Sequence, residues 1–128
     1  MKLLILALVS LMFTAAIACG GGGTEIKVGQ LVSGTITDSD EDDGEWKSQT
    51  FVIEVSEGVA YSFELTSVDD DTVGIWSADA AGYIVESNII VPIRTETHIF
   101  TEGGSQKLFL QSPASDVPSP FLFKIKIQ

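Results

Sequence analysis

Apolar and polar residues alternate along three stretches of the chain. The clearest run, Val59 to Leu65, has an apolar side chain at every second position, and the same period recurs from Phe51 to Val55 and from Phe121 to Ile127. Because successive side chains of a strand point to opposite faces, this alternation predicts strands with one buried and one solvated face. In the last run, Lys124 and Lys126 occupy solvated positions, where they are expected to discourage edge-to-edge pairing.

Shorter apolar runs predict further strands over Lys27–Ile36, Thr72–Trp76, Tyr83–Glu86, Thr95–Thr101 and Lys107–Gln111. Turn-forming residues separate the runs, such as Gly103-Gly104 and Pro118-Ser119-Pro120. No stretch after Cys19 keeps a helical period over the about eleven residues that would indicate a helix, and Ser77–Ala81 has room for one helical turn at most. Many short strands between turn signals predict an all-β antiparallel sandwich or barrel.

The N-terminal segment has the features of an export signal. Lys2 provides a basic start, and Leu3–Ala18 is an apolar run shorter than the about 20 residues of a membrane-spanning helix. Ala16-Ile17-Ala18-Cys19 resembles the bacterial lipobox. The resemblance implies that Cys19 receives a diacylglycerol thioether, and so palmitate-type acyl chains, and becomes the new N-terminus. An ordinary signal peptide with an incidental cysteine is the alternative.

The sequence after the signal divides into a tether and a domain. Cys19 is the single cysteine, so no intrachain disulfide is available, and lipidation accounts for an odd cysteine in an exported protein. The run Gly20–Gly23 predicts a flexible tether. We therefore expect a cleaved helical signal peptide over residues 1–18, a lipidated tether over 19–25 and one β-domain over 26–128.

Charge narrows the range of partners. The 128 residues contain 7 Lys and Arg against 18 Asp and Glu, a net charge of −11. Such a chain repels nucleic acid and anionic headgroups, so nucleic-acid binding is excluded. Acidity is compatible with a plain solvated surface, with cation binding or with a basic partner. The length suits one antiparallel sandwich of about 100 residues.

The strand patterns also resemble a known family. Val28–Ile36, Phe51–Gly58 with Tyr61–Leu65, and Ile75–Ser77 with Ala81-Gly82 resemble successive strands and turns of the bacterial pre-peptidase C-terminal domain. Gln49 stands where that family usually has Asp. The resemblance implies a jelly-roll-like sandwich of about eight strands. Such domains are usually non-catalytic appendages of secreted enzymes, although no enzyme accompanies this one.

An acidic run suggests a calcium site. Asp38, Asp40, Asp42 and Asp43 offer the hard oxygen ligands that Ca²⁺ prefers. The helix–loop–helix calcium template fails, because Asp43 stands where glycine is required and Gln49 where the bidentate Glu belongs. A solvated acidic loop is the alternative, and no other cofactor is predicted. A second acidic loop, residues 69–71, would complete a site only if the fold brought it near the first.

Catalytic groups are sparse. His98 is the single histidine, it shares strand parity with Glu96, and it is predicted on the more solvated face. One histidine does not make a typical zinc site, and no Gly-x-Ser-x-Gly elbow accompanies it. A carboxylate pair for glycoside hydrolysis would have to come from Glu54, Glu64, Glu86 and Glu96, which strand solubility explains equally well.

Aromatic residues suggest carbohydrate binding. Trp46, Trp76 and Tyr83 are candidates, because exposed aromatic faces stack on sugars. Trp76 has the strand parity of Gly74, opposite to Val73 and Ile75, and so is expected outside the core. Packing of both tryptophans into the sandwich or its ends is the alternative.

Together these features predict a non-catalytic, lipid-anchored protein of the cell envelope. It would lie in the outer membrane of a two-membrane host, or otherwise on the outer face of the cell membrane. Its β-sandwich would contact an envelope protein or a polysaccharide. A calcium-supported adhesion or matrix-binding module is one alternative, and a small envelope hydrolase is another.

Overall fold

The computed structural model describes residues 23–68, 71–88 and 90–128, so the predicted signal peptide and Cys19 lie outside the described residues. In these ranges no helix is long and apolar enough to cross a bilayer. The described chain forms ten strands: β1 (Thr24–Ile26), β2 (Leu31–Ile36), β3 (Glu41–Asp43), β4 (Trp46–Val55), β5 (Ala60–Ser67), β6 (Val73–Ser77), β7 (Gly82–Ser87), β8 (Ile93–Ile99), β9 (Gly104–Pro113) and β10 (Ser119–Ile127).

The strands form two sheets, which confirms the all-β sandwich. The larger sheet has the order β1-β4-β9-β6-β7, with β3 also paired to β4, and the smaller has the order β2-β10-β5-β8. Without the two three-residue strands β1 and β3, eight strands remain, in the orders β4-β9-β6-β7 and β2-β10-β5-β8. Counted from one to eight in chain order, these are 2-7-4-5 and 1-8-3-6, which is the arrangement of a jelly roll. All pairings among these ten described strands are antiparallel except that of β1 with β4.

The two short strands protect one edge of the larger sheet. β3 pairs with the start of β4, Glu41 opposite Ser48, and β1 pairs with its later part, Thr24 opposite Phe51. Neither was predicted as a separate strand, because three residues are too few to show alternation. Thr24 is buried, so this residue of the predicted tether packs against the domain.

The core lies between the sheets and is built from the residues with the predicted period of two. Phe51 of the larger sheet packs edge-on against Phe123 of the smaller, with ring centroids 5.3 Å apart. Phe121 lies beside Phe123 at 6.1 Å. Full burial of each such side chain stabilises the fold by about 1.5–3 kcal/mol. These long-range contacts fix the position of each sheet relative to the other.

Buried serines connect the sheets at one end of the sandwich. The Ser112 hydroxyl of β9 lies 2.7 Å from that of Ser119 in β10 and donates to the carbonyl of Thr72. Ser87 of β7 donates to the carbonyl of Leu65 in β5 at 2.9 Å. No buried side-chain polar atom in the described part of the chain lacks a hydrogen-bond partner.

The last strand is central in its sheet, and the prediction that its lysines protect an edge is wrong. β10 lies between β2 and β5, and Lys124 is opposite Glu64. Edge or central position depends on long-range pairing, which local alternation does not specify. The edges of the smaller sheet are β2 and β8, and β8 carries the exposed Ile93 and Ile99.

Candidate ligand-binding site

Four aromatic side chains lie on the outer face of the larger sheet. They are Trp46 of β4, Trp76 of β6, Tyr83 of β7 and Phe109 of β9. Trp76 is opposite both Phe109 and Tyr83 in the strand register, and opposite residues point to the same face. A register shift between Ile75 and Trp76 marks a bulge, an irregularity that redirects side chains. Sheet pairing thus gathers residues that are far apart in sequence.

The four rings form two contacting pairs. Trp46 and Tyr83 have centroids 6.0 Å apart at an interplanar angle of 50°, and Trp76 and Phe109 lie 5.8 Å apart at 60°. All four side chains are half-buried, so each ring is held by its neighbours while part of its surface meets solvent. They line a groove of about 540 Å³ together with Glu41, Ser48 and Gln111. That volume suits a small-molecule or sugar-sized ligand.

A glycine in β6 allows the side chain of Tyr83 to extend over that strand towards β9. A methyl group on Gly74 would lie 2.7 Å from Cδ1 of the Tyr83 ring and 3.2 Å from Cγ of Glu86, so the ring rests directly over the glycine. From this position the Tyr83 hydroxyl donates to Oε1 of Gln111 at 2.7 Å. Without Gly74 the ring would not reach Gln111 of β9 in this way.

Tyr83 and Gln111 supply polar groups among the rings. Burial raises the pKa of Tyr83, and the negative charge of Glu86 raises it further, so the hydroxyl stays protonated at neutral pH. With its Oε1 engaged by Tyr83, Gln111 keeps amide N–H groups that bond to no residue in the described part of the chain. The groove therefore combines aromatic surfaces with hydrogen-bond donors, as ligand sites do.

Two further depressions adjoin this groove. One, of about 690 Å³, shares Glu41, Ser48 and Phe109 with it, and reaches the polar residues Thr35, Gln49, Thr50 and Lys107. The other, of about 350 Å³, is lined by Trp46 together with Glu45, Pro113, Ala114 and Ser115. Trp46 thus lines both this depression and the groove.

The acidic run lies beside these depressions and has structural partners of its own. The Oδ2 atom of Asp40 accepts hydrogen bonds from the Thr37 backbone N–H at 2.7 Å and from the Gln49 amide at 2.9 Å. The carbonyl of Asp38 accepts from Nζ of Lys47 at 3.1 Å. These bonds hold the β2–β3 turn against β4.

The calcium hypothesis stays a prediction. Asp42 and Asp43 pair through their backbones with Lys47 and Trp46 in the β3–β4 hairpin, while their side chains, like residues 69 and 70, lie outside the described part. Among the described residues, no three His, Cys, Asp or Glu side chains come together as candidate metal ligands. The described bonds of Asp40 explain that carboxylate without a metal.

His98 lies on the inward side of β8, so the prediction of a more solvated face is wrong. It is opposite Tyr61, a buried core residue, in the strand register. Its Nε2 lies 2.8 Å from Oδ2 of Asp79, and these side chains are 18% and 6% exposed. The reason is that β8 is an edge strand, whose inward side faces the β6–β7 turn at the margin of the core.

Asp79 connects that turn to the end of β8. Its carboxylate accepts hydrogen bonds from the hydroxyl and the backbone N–H of Thr101, and these bonds, with the one to His98, lower the pKa of Asp79. The described hydrogen bonds of His98 include no serine, which a Ser-His-Asp arrangement would require. The geometry is that of a cross-link between two parts of the fold.

The four candidate glutamates are dispersed. Glu54 on β4 accepts a hydrogen bond from Ser105, and Glu86 lies beside Tyr83 on the same sheet. Glu64 and Glu96 belong to β5 and β8 of the other sheet. The four glutamates are thus divided between the two sheets, where they occupy solvated strand positions, and Glu86 lies at the margin of the groove.

The sequence pointed to three of the aromatic residues and missed four other members of the groove, which are Glu41, Ser48, Phe109 and Gln111. The structure brings Trp46, Trp76 and Tyr83 together, although their role in ligand binding stays a prediction. Phe109 and Gln111 were not singled out. Phe109 shares a parity with Gln111 and Lys107 and is opposite to Leu108 and Leu110, which is the signal that would have placed it on the outer face.

No family model and no curated protein matches the sequence. Among solved structures, the chain is similar to the pre-peptidase C-terminal domain of a collagenase from Bacillus anthracis, with a TM-score of 0.57 and 10% identity. The match covers 80% of this chain and 92% of that domain. At this identity the likeness establishes the fold, and it agrees with the resemblance in the strand patterns.

Two other similar structures have lower scores. The periplasmic g-type lysozyme inhibitor PliG of Aeromonas hydrophila matches with a TM-score of 0.49 and 11% identity, over 81% of this chain and 96% of that one. A carbohydrate-binding module, TmCBM61, in complex with β-1,4-galactotriose matches with a TM-score of 0.41 and 14% identity, over 77% and 70%. With TM-scores below 0.5, neither carries an argument about function.

Proposed function

We propose that this protein is a non-catalytic binding module that holds a polysaccharide in the aromatic groove of its larger sheet. One observation carries the proposal: Trp46, Trp76, Tyr83 and Phe109 line a single groove while part of each ring remains solvent-accessible. Aromatic side chains on an outer sheet face contribute nothing to the core between the sheets. A ligand with apolar faces, such as a sugar ring, accounts for their position.

The polar groups of the groove suit the same ligand. A sugar presents hydroxyl groups around its apolar face, and the amide of Gln111 and the hydroxyls of Tyr83 and Ser48 lie among the rings. A few placed polar groups in a mostly apolar lining are the usual source of orientation and specificity. The described contacts of His98, the histidine that an enzymatic role would use, are structural.

The charge of the protein selects among polysaccharides. Its net charge is −11, Glu41 lines the groove, and Glu86 lies beside Tyr83. An anionic polymer would be repelled, since like charges disfavour encounter and are costly to bury together. The ligand is therefore a neutral or basic glycan.

Anchoring in the cell envelope is part of the proposal. The lipobox-like sequence before Cys19 supports lipidation, and several acyl chains would hold the domain at a membrane, since each buried methylene contributes about 0.8 kcal/mol. Mass spectrometry of the natural protein tests this. A diacylglyceryl cysteine at the N-terminus is expected, whereas a retained Met1 or an unmodified Cys19 thiol would overturn it.

A glycan array tests the binding role. The mature chain is used with Cys19→Ser, so that no acyl chain interferes, and binding to neutral or basic glycans but not to uronic acid polymers is expected. Trp76→Ala should weaken the affinity for the best ligand at least about tenfold, a loss of about 1.4 kcal/mol. Ile99→Ala, which truncates a side chain 53% exposed on the other sheet, is the control. Equal affinities in these two variants would refute the assignment of the groove.

A further inference from the structure

The central groove shares lining residues with two further depressions. Towards the β4 edge it continues past Ser48 and Glu41 into the depression of about 690 Å³, and past Trp46 it adjoins the depression of about 350 Å³. A site that takes the end of a polymer needs a wall against which the terminal unit stops. Among the described residues, both outer depressions are open to solvent and not enclosed.

We infer that the three depressions act as one cleft for the interior of a glycan chain, an inference that rests on the proposed function. The aromatic groove takes the central sugar units, and each outer depression takes units on one side of them. Each of the three volumes is in the range of about 300–1,000 Å³ that suits a small-molecule site. The chain therefore passes through the site, and neither of its ends is recognised.

The chemistry of the cleft changes along its length. The central part is aromatic, whereas the larger outer depression carries polar side chains, Lys107 and Glu41 among them. The Gln49 amide there already donates to Asp40 and to the carbonyl of Thr35, so the exposed Lys107 is a donor that remains for a ligand. The central units are thus held by contact with rings, and the outer units by hydrogen bonds from exposed side chains. The centre should dominate affinity, and the outer parts should add to it with chain length.

Oligosaccharides of increasing length, cut from the best array ligand, test this by titration calorimetry. Affinity should rise about tenfold, or by about 1.4 kcal/mol, as each outer depression is filled, and should then become constant. Reducing-end and non-reducing-end modifications of a long oligosaccharide should leave its affinity unchanged. Affinity that is independent of length, or that is abolished by modification of one end, would overturn the inference while leaving the binding role intact.

Two variants that fill the outer depressions sharpen the test. Lys107→Trp and Ser115→Trp each place a large ring at an exposed position, in the larger and the smaller depression respectively. Each should remove the gain from longer ligands and leave the affinity for the shortest ligand unchanged. Thr95→Trp is the control, since Thr95 is equally exposed but lies on β8, in the other sheet and away from the cleft.

The results separate the two proposals. If the control and both filled variants bind long ligands equally well, the outer depressions are not part of the site and the inference fails. If no glycan of any length binds, the proposed function fails, and the inference fails with it.

Discussion

Substitution of Gly74 by alanine tests the geometry on which the binding site depends. The added methyl group would lie 2.7 Å from the Tyr83 ring, too close for any real contact, and Glu86 closes the other side at 3.2 Å. We expect the ring to leave its place over β6. It would then lose its hydrogen bond to Gln111, about 0.5–1.5 kcal/mol, and its contact with Trp46, about 0.5–1.5 kcal/mol.

A smaller effect acts in the opposite direction. Alanine restricts the unfolded chain more than glycine does, which stabilises the folded state by about 0.4–1 kcal/mol where the native backbone tolerates it. The expected net loss for Gly74→Ala is about 1 kcal/mol, a fall in Tm of about 4–8 °C for a domain of this size. Gly82→Ala is the matched control, since no atom lies within 4 Å of its added methyl group and the residue is also in this sheet. It should be neutral or slightly stabilising.

A double-mutant cycle with urea denaturation identifies the cause. In a Tyr83→Ala background the ring is absent, so Gly74→Ala should lose most of its cost and behave like Gly82→Ala. Tryptophan fluorescence offers a second readout, because Trp46 contacts the displaced ring. Two results would refute the close approach of the Tyr83 ring to Gly74. One is that Gly74→Ala is as stable as Gly82→Ala when Tyr83 is present, and the other is that Gly74→Ala lowers the free energy of unfolding equally when Tyr83 is absent.

Three further changes test the core, the buried serines and the Asp79 cross-link. Phe123→Ala should lower the free energy of unfolding by about 3–5 kcal/mol, whereas Ile99→Ala, at an exposed site, should change it by less than about 0.5 kcal/mol; similar losses in urea would contradict the described core. Ser112→Ala should cost about 1–3 kcal/mol by removing buried hydrogen bonds between the sheets, and an unchanged Tm would show that they contribute nothing. The native pKa of Asp79 is below its ordinary value of 3.8, so its stabilisation should be complete above about pH 5 and lost as the pH falls through 3.8 towards the native pKa. The stability difference between wild type and Asp79→Asn should shrink over that window, and a difference independent of pH would exclude the carboxylate as its source.

The site was partly predictable because strand parity is a local property. Trp76 alternates with Val73 and Ile75 closely enough to place it outside the core, and the structure has it there. Its partners were not predictable in this way. Phe109 lies opposite Trp76 through the pairing of β6 with β9, and Tyr83 through the pairing of β6 with β7. Register between distant strands depends on the packing of the whole core.

The acidic run shows that nearness in sequence does not predict which side chains act together. Its residues were grouped by their nearness in sequence, yet Asp40 bonds to Gln49 while Asp42 and Asp43 belong to a strand. The role of each carboxylate depends on the backbone donors and side chains that the fold brings to it. His98 illustrates the same point, since Asp79 reaches it from a turn 19 residues away in sequence.

What the amino-acid sequence determined on its own is the class of structure. A period of two in the apolar positions, interrupted by turn residues, requires strands with one buried face, and two such sheets bury those faces only against each other. The tertiary structure decided which strands are central, which edge β1 and β3 cover, and which outer positions become neighbours. The reason is that side-chain direction is encoded within a few residues, whereas adjacency of strands arises from contacts across the whole chain. The aromatic groove therefore exists only in the folded protein, although each of its residues can be assigned a face from the sequence.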